Sequence, residues 1–232
     1  MRNKLLLEAV GAFFLGLAAL LGANPLAFAA LLAALTYFAA PVGFPHYNPA
    51  VSLAFRLRGR LGWGAFALHL GAQFLGAVVA LVTAVFLQES SPERSRESLD
   101  RLALSPYDGL TASLVSEALA SCLFVAVLLV VATSRRTAGN SYFGLAIGLA
   151  WIGCVGAFGE LAPLMNPFGS LLHAGHGWAE ALCDDGVGAK AVVTETLLLA
   201  KVAPRVALDV VAQFAGAALA VGLFRVVLPE DR

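Results

Sequence analysis

The sequence predicts an all-α membrane protein with six spanning helices around two re-entrant half-helices. Three observations predict it: the composition, the lengths of the apolar runs, and a set of motifs that occurs twice in the same order. Of 232 residues, 59% are hydrophobic and only 13% charged, and the mean hydropathy is +0.82. Soluble domains carry about 25% charged residues. A soluble chain this short has too much surface for its volume to bury so much apolar area, whereas lipid solvates apolar outer faces. Fifteen basic and fifteen acidic residues give zero net charge, so the composition offers no case for a nucleic-acid partner or for polybasic recruitment to a membrane.

A bilayer core of about 30 Å takes about 20 apolar residues per helix. The runs 5–23, 25–43, 62–87, 110–133, 142–159 and 206–228 meet that length or approach it. The stretches 48–57 and 166–174 are too short to span. Ten helical residues rise about 15 Å, and such half-spans survive at membrane depth only against protein or a wet cavity. The N-terminal run after Met1-Arg2-Asn3-Lys4 has the outline of a signal peptide, but Glu8 inside it and its place in the repeat assign it as a spanning helix. Basic residues at Arg2, Lys4, Arg56, Arg58, Arg60, Arg135 and Arg136 fall on one side, which the positive-inside rule makes cytoplasmic. Both termini then lie on that side. The short loops and the Ala-, Leu- and Arg-rich usage point to a bacterial inner membrane.

The repeat runs as follows. Glu8 pairs with Glu117, Tyr47-Asn48-Pro49-Ala50-Val51-Ser52 with Met165-Asn166-Pro167-Phe168-Gly169-Ser170, and Gly71-Ala72-Gln73-Phe74-Leu75-Gly76-Ala77 with Val211-Ala212-Gln213-Phe214-Ala215-Gly216-Ala217. Residues 1–109 form one half and 110–232 the other. Three spans per half put the halves in opposite orientations, the inverted repeat of many transport proteins, with the working site at the midplane.

Asn-Pro starts a helix abruptly, because asparagine caps the first free N–H groups and proline at the first helical position has no N–H to satisfy. Two such starts meeting at the midplane each carry roughly half a positive charge, which repels cations. The amides of Asn48 and Asn166 are expected to point into the passage and donate to a passing oxygen. Glu8 and Glu117 in apolar spans require polar partners. No disulfide framework, paired exposed carboxylates, phosphate loop or Ser/His/Asp set stands out, and an enzyme is not expected. Cys122, Cys154 and Cys183 are odd in number and widely spaced, without a metal signature.

These motifs resemble the aquaporin (major intrinsic protein) family over nearly the whole chain, from Glu8 to about Leu228. The carrying residues are Glu8-x-x-Gly11, His46-Tyr47-Asn48-Pro49-Ala50-Val51, Ala72-Gln73, Glu117, Gly144-Leu145-Ala146-Ile147-Gly148-Leu149 and Asn166-Pro167. The resemblance implies an aquaporin-like hourglass pore for water and small uncharged solutes, no cofactor, and a homotetramer with one pore per subunit. It implies that Glu8, His46, Gln73, Glu117 and Gln213 support the pore loops.

The chain also departs from the family. The family's second filter usually has an arginine three positions after the second asparagine; here that position is Gly169. Phe28 stands at the second-helix filter position. The fifth-helix position is Cys154 or Val155, depending on the alignment, and the loop position is Pro163. This filter is apolar and lacks the two strongest donors of water-selective members, which favours a broader pore for glycerol, urea, metalloid acids or neutral gases. Phe168 replaces alanine in the second motif and either fills a gap or partly plugs the pore. Asn48 to Gln73 is 25 residues and Asn166 to Gln213 is 47, so the second half carries about 22 more. That insertion holds His173, His176, Trp178, Cys183, Asp184, Asp185 and an apolar stretch at 191–200. It is read as a polar vestibule loop and an interfacial helix in preference to a metal site. The alternatives to a passive channel are a non-conducting interaction protein plugged by Phe168, and a proton-coupled transporter using Glu8 or Glu117.

Overall fold

The structure is a computed structural model that describes residues 1–88, 109–158, 164–183 and 189–231, with backbone alone for 88, 177–183, 189–195, 198, 201 and 202. Within the described residues lie eight α-helices: α1 (Arg2–Leu20), α2 (Pro25–Ala39), α3 (Pro49–Leu57), α4 (Trp63–Gln88), α5 (Leu110–Thr133), α6 (Phe143–Phe158), α7 (Pro167–Cys183) and α8 (Ala189–Val227). Short 3-10 turns follow α5 (Arg135–Thr137) and α8 (Pro229–Asp231).

Their packing is two-fold in pattern. α1 lies along α4 as α5 lies along α8; α3 packs on α8 as α7 packs on α4; α2 and α6 face each other across the centre. Among the described residues, four helices are long and apolar enough to cross a membrane: α1, α4, α5 and the segment Ala203–Val227 of α8. The central pair α2 and α6 is shorter, at 15 and 16 residues, or roughly 23–24 Å of rise. Outward faces carry large apolar side chains, such as Phe74, Val78, Val82 and Phe86 on α4, as lipid solvation permits.

Glycine sets how closely the helix pairs approach. A Cβ at Gly76 would fall on the carbonyl oxygen of Ala9, and one at Gly216 on that of Ala118. These are corresponding glycines of the repeated Gln-containing motif. Gly148 meets the Ala29 carbonyl in the same way, at 2.6 Å, and Gly144, four residues earlier, leaves room for the Tyr37 ring. Small residues at a spacing of four let membrane helices close on each other's backbones. Gly11 makes room for the Tyr47 ring, whose hydroxyl donates to the Leu35 carbonyl at 2.9 Å.

The second half departs from the sequence reading in two places. The half-helix expected at 166–174 continues to Cys183. The last span, expected at 206–228, belongs to a 39-residue helix that begins at Ala189 and contains Pro204. The described part of the segment read as a loop followed by an interfacial helix is therefore helical, with 175–183 continuing α7 and 189–204 opening α8. Proline within a spanning helix is tolerated where neighbours take up the freed backbone groups.

At the expected cytoplasmic end the C-terminal turn ties the halves together. Ser134 Oγ donates to Asp231 Oδ2 at 2.6 Å. Arg58, which closes α3, donates to Thr133 Oγ1 and to the Asp231 carbonyl, with its guanidinium 3.8 Å over the Phe224 ring. The Ser134 hydroxyl, then the Arg135 N–H and the Arg135 and Arg58 charges, hold the Asp231 carboxyl below its ordinary range.

Gly76→Ala should destabilise the protein by about 1–3 kcal/mol, the usual cost of overpacking a tight contact. Gly71→Ala, on the same helix with open space at its Cβ, should stay within about 0.5 kcal/mol. Thermal melts of the two variants in detergent compare them directly.

Candidate functional site

The two half-helices begin at Asn48 and Asn166 and meet end to end. Asn48 Oδ1 accepts from the N–H of Ala50 at 2.8 Å and of Val51 at 3.4 Å. Asn166 Oδ1 accepts from Phe168 N–H at 3.1 Å. Each amide nitrogen then crosses to the other loop: Asn48 Nδ2 donates to the Met165 carbonyl at 2.7 Å, and Asn166 Nδ2 to the Tyr47 carbonyl at 3.2 Å. Those carbonyls belong to the residues just before the opposite asparagines. Both residues are left-handed, Tyr47 at φ 53° and Met165 at φ 54°. Non-glycine residues there cost about 1–3 kcal/mol each and persist only where neighbours over-determine them.

The neighbours that do so are the buried glutamates. Glu8 accepts from the N–H groups of His46 (2.6 Å) and Tyr47 (2.7 Å). Glu117 accepts from Leu164 (2.7 Å) and Met165 (3.0 Å). Gln73 Nε2 donates to Glu8 Oε2 at 2.7 Å and to Ser52 Oγ at 3.1 Å. Gln213 Nε2 repeats this with Glu117 Oε2 at 3.1 Å and Ser170 Oγ at 2.9 Å. His46 Nδ1 lies 3.0 Å from Ser52 Oγ. One carboxylate, one glutamine and one serine thus brace each loop.

A cavity of about 290 Å³ opens on one side of the asparagine pair. Its wall includes Phe28, Trp151, Val155, Asn166, Phe168 and Gly169. Asn166 reaches it, whereas Asn48 is 4% exposed and lies outside the wall, so the two amides do not both open onto this space. Phe28 stacks on Trp151 at 4.2 Å between centroids. A Cβ at Gly169 would touch only Asn166 Cβ at 3.5 Å and Leu164 Cβ at 4.0 Å, so the wall has room for a side chain there. The Phe168 ring leans on Phe74 of α4 at 5.9 Å and borders the apolar cluster that contains Leu20, Ala77, Ala84 and Leu172.

Cys154 and Val155 face different surroundings. Cys154 is fully buried, with its sulfur 3.6 Å from the Ala120 carbonyl of α5, and is not a wall residue; Val155 is. Of the two positions left open by the sequence, Val155 is the one that borders this cavity. Pro163, Asp184 and Asp185 fall outside the described residues, as do the side chains of Trp178 and Cys183. His173 lines the cavity and His176 is buried in α7. Two residues escaped the sequence reading. Trp151 carries the signal of a lone tryptophan one turn before Val155 on the same face. His69, one turn before Gln73, carries no motif.

The fold and this site define an integral membrane bundle with two asparagine-capped half-helices held at its centre. The model of the family described as major intrinsic protein matches residues 12–174, and the chain belongs to that family. Among curated proteins, it is 32% identical to "Putative aquaporin NIP4-1" of Arabidopsis thaliana over 127 residues, 54% of this chain and 42% of that protein. It is 46% identical to "Aquaporin-9" of Homo sapiens over 56 residues, 24% of this chain and 19% of that protein. These matches span less than half the length of either relative. The fold is also that of the X-ray structure of the aquaglyceroporin from Plasmodium falciparum, at TM-score 0.70 and 16% identity over 99% of this chain and 98% of that one.

Glu117→Gln replaces an acceptor-only group with one that presents an NH₂ to three donors. Hydrogen bonds to charged groups contribute about 1.5–3 kcal/mol each, so the variant should lose at least that much stability. A thermal melt within about 0.5 kcal/mol of wild type would show that the carboxylate does not hold the loop.

Proposed function

We propose that this protein is a passive channel for water and small uncharged solutes, broader than a strict water pore. The observation that carries it is the cavity beside the crossed asparagines, walled by Phe28, Trp151, Val155 and Gly169, with no arginine among the described residues of its wall. A water occupies about 30 Å³ of liquid, so a space of about 290 Å³ accommodates solutes larger than water. An aromatic and aliphatic wall suits the carbon side of a polyol, and Asn166 supplies a donor to its oxygens. Two helix N-termini at the centre disfavour cations. The inverted repeat divides at 109/110, and the matching supports of the two asparagine loops support a constriction between the halves. The glutamates act as loop supports, because their oxygens are already engaged by backbone and glutamine N–H groups. The termini lie on the cytoplasmic side by the positive-inside rule, and the homotetrameric state is carried over from the family.

A non-conducting protein plugged by Phe168 is the second reading. The lean of that ring onto Phe74, towards the outer face of α4, supports a packing role instead. Stopped-flow light scattering on proteoliposomes under water and glycerol gradients separates the two. The channel reading expects both fluxes above empty vesicles in the wild type. No flux in the wild type, appearing in Phe168→Ala, would establish the plug.

Two filter variants carry the test further. Gly169→Arg should reduce glycerol flux at least tenfold and water flux less, and an unchanged ratio would remove Gly169 from the filter. Val155→Cys should make flux sensitive to a mercurial. A block of the wild type that Cys154→Ser relieves would return Cys154 to the pore.

A further inference from the structure

The first brace contains two histidines for which the second has no counterpart. His69 of α4 and His46 of the loop stand beside Glu8, and a ligand atom from each of the three lies within 4.8 Å of the others. All three are buried: Glu8 is 1% exposed, His46 6% and His69 4%. The imidazoles lie 4.7 Å apart between centroids. His69 Nδ1 is 3.3 Å from Glu8 Oε1, an ion-pair contact that falls short of a well-formed hydrogen bond.

The second half has neither ring. At the matching positions of the second half, Leu164 replaces His46 and Asp209, four residues before Gln213, replaces His69. Asp209 is satisfied by Arg205 at 3.1 Å, and Glu117 still braces its loop through backbone and Gln213 contacts alone. His69 therefore adds an imidazole that the brace of the second loop does without, and its Nδ1 is buried facing a carboxylate oxygen.

We propose that Glu8, His46 and His69 form a binding site for a divalent transition-metal ion of the zinc type. Two imidazoles and one carboxylate are a recurrent zinc set, with metal–ligand distances of about 2.0–2.2 Å and an open fourth position. Two ligands of a tetrahedral ion at those distances stand about 3.3 Å apart, which is the observed separation of Nδ1 and Oε1. His46 Nδ1–H can donate to Ser52 Oγ, 3.0 Å away, which leaves Nε2 as the ligand and makes Ser52 the outer-shell partner that metal-bound imidazoles usually have. Glu8 Oε1 also accepts from His46 N–H, so the ion shares an atom with the loop that carries Asn48. Imidazole and carboxylate together favour Zn²⁺, Co²⁺ or Ni²⁺ over Mg²⁺ or Ca²⁺.

Co²⁺ added to the purified, chelator-treated full chain in detergent tests this by optical spectroscopy, with overnight incubation because the site is buried. The expected result is visible ligand-field absorption saturating at one ion per chain and displaced by Zn²⁺ but not by Mg²⁺. His69→Phe and the polar variant His69→Gln, each checked for a wild-type melt, should weaken binding at least tenfold. Absence of saturable absorption in the wild type overturns the proposal. So does undiminished binding in a folded His69 variant, which would move the ion to His173 and His176. The readout is independent of flux, so it fails or succeeds apart from the channel reading.

Discussion

Everything at the centre of this molecule depends on a buried carboxylate accepting two consecutive backbone N–H groups. Without that acceptor, neither Tyr47 nor Met165 has reason to remain left-handed. That turn lets the chain descend to the midplane and start a helix in the opposite sense. Each glutamate gathers three donors. At about 1.5–3 kcal/mol per charge-assisted bond, three bonds exceed the strain of about 1–3 kcal/mol that they hold in place. The surplus offsets the desolvation of a carboxylate inside an apolar helix. The loop geometry then fixes the asparagines, and their crossing bonds lock the halves to each other.

The same bracing is built twice from residues with different neighbours. In the first half the surroundings of the glutamate are histidine-rich; in the second they are Leu164 and an aspartate answered by Arg205. The lock needs only carboxylate, glutamine, serine and asparagine. Everything else around it is free to differ between halves, and it does so just after the asparagines as well. Phe168 and Gly169 are the second half's own, whereas Ala50 and Val51 in the first are fully buried packing residues.

Much of this was legible in the sequence because the constraint leaves a trace in residue type. A glutamate in an apolar run, Asn-Pro before a stretch too short to span, and a repeated Ala-Gln-Phe announce the fold, and the repeat orders them. What was not legible is a matter of rotation and continuity. Cys154 and Val155 differ by one position, about 100° around a helix, and only the packing of α6 on α5 decides which faces the cavity. The continuation of α7 to Cys183, and of α8 back to Ala189, is hidden because histidine, tryptophan and an internal proline read as punctuation in sequence. His69 sits in an unremarkable apolar helix and gains meaning only from the arrival of Glu8 and His46, which come from distant parts of the chain.

The central claim is that the lock makes a passage for neutral molecules in which the buried carboxylates move no protons. Proteoliposomes holding a pH-sensitive dye allow solute flux and lumenal pH to be followed in one recording under an imposed pH gradient. The account predicts rapid water or glycerol flux with a lumenal pH that relaxes no faster than in empty vesicles. A lumenal pH that moves with the solute, and stops doing so in Glu8→Gln or Glu117→Gln, would contradict it.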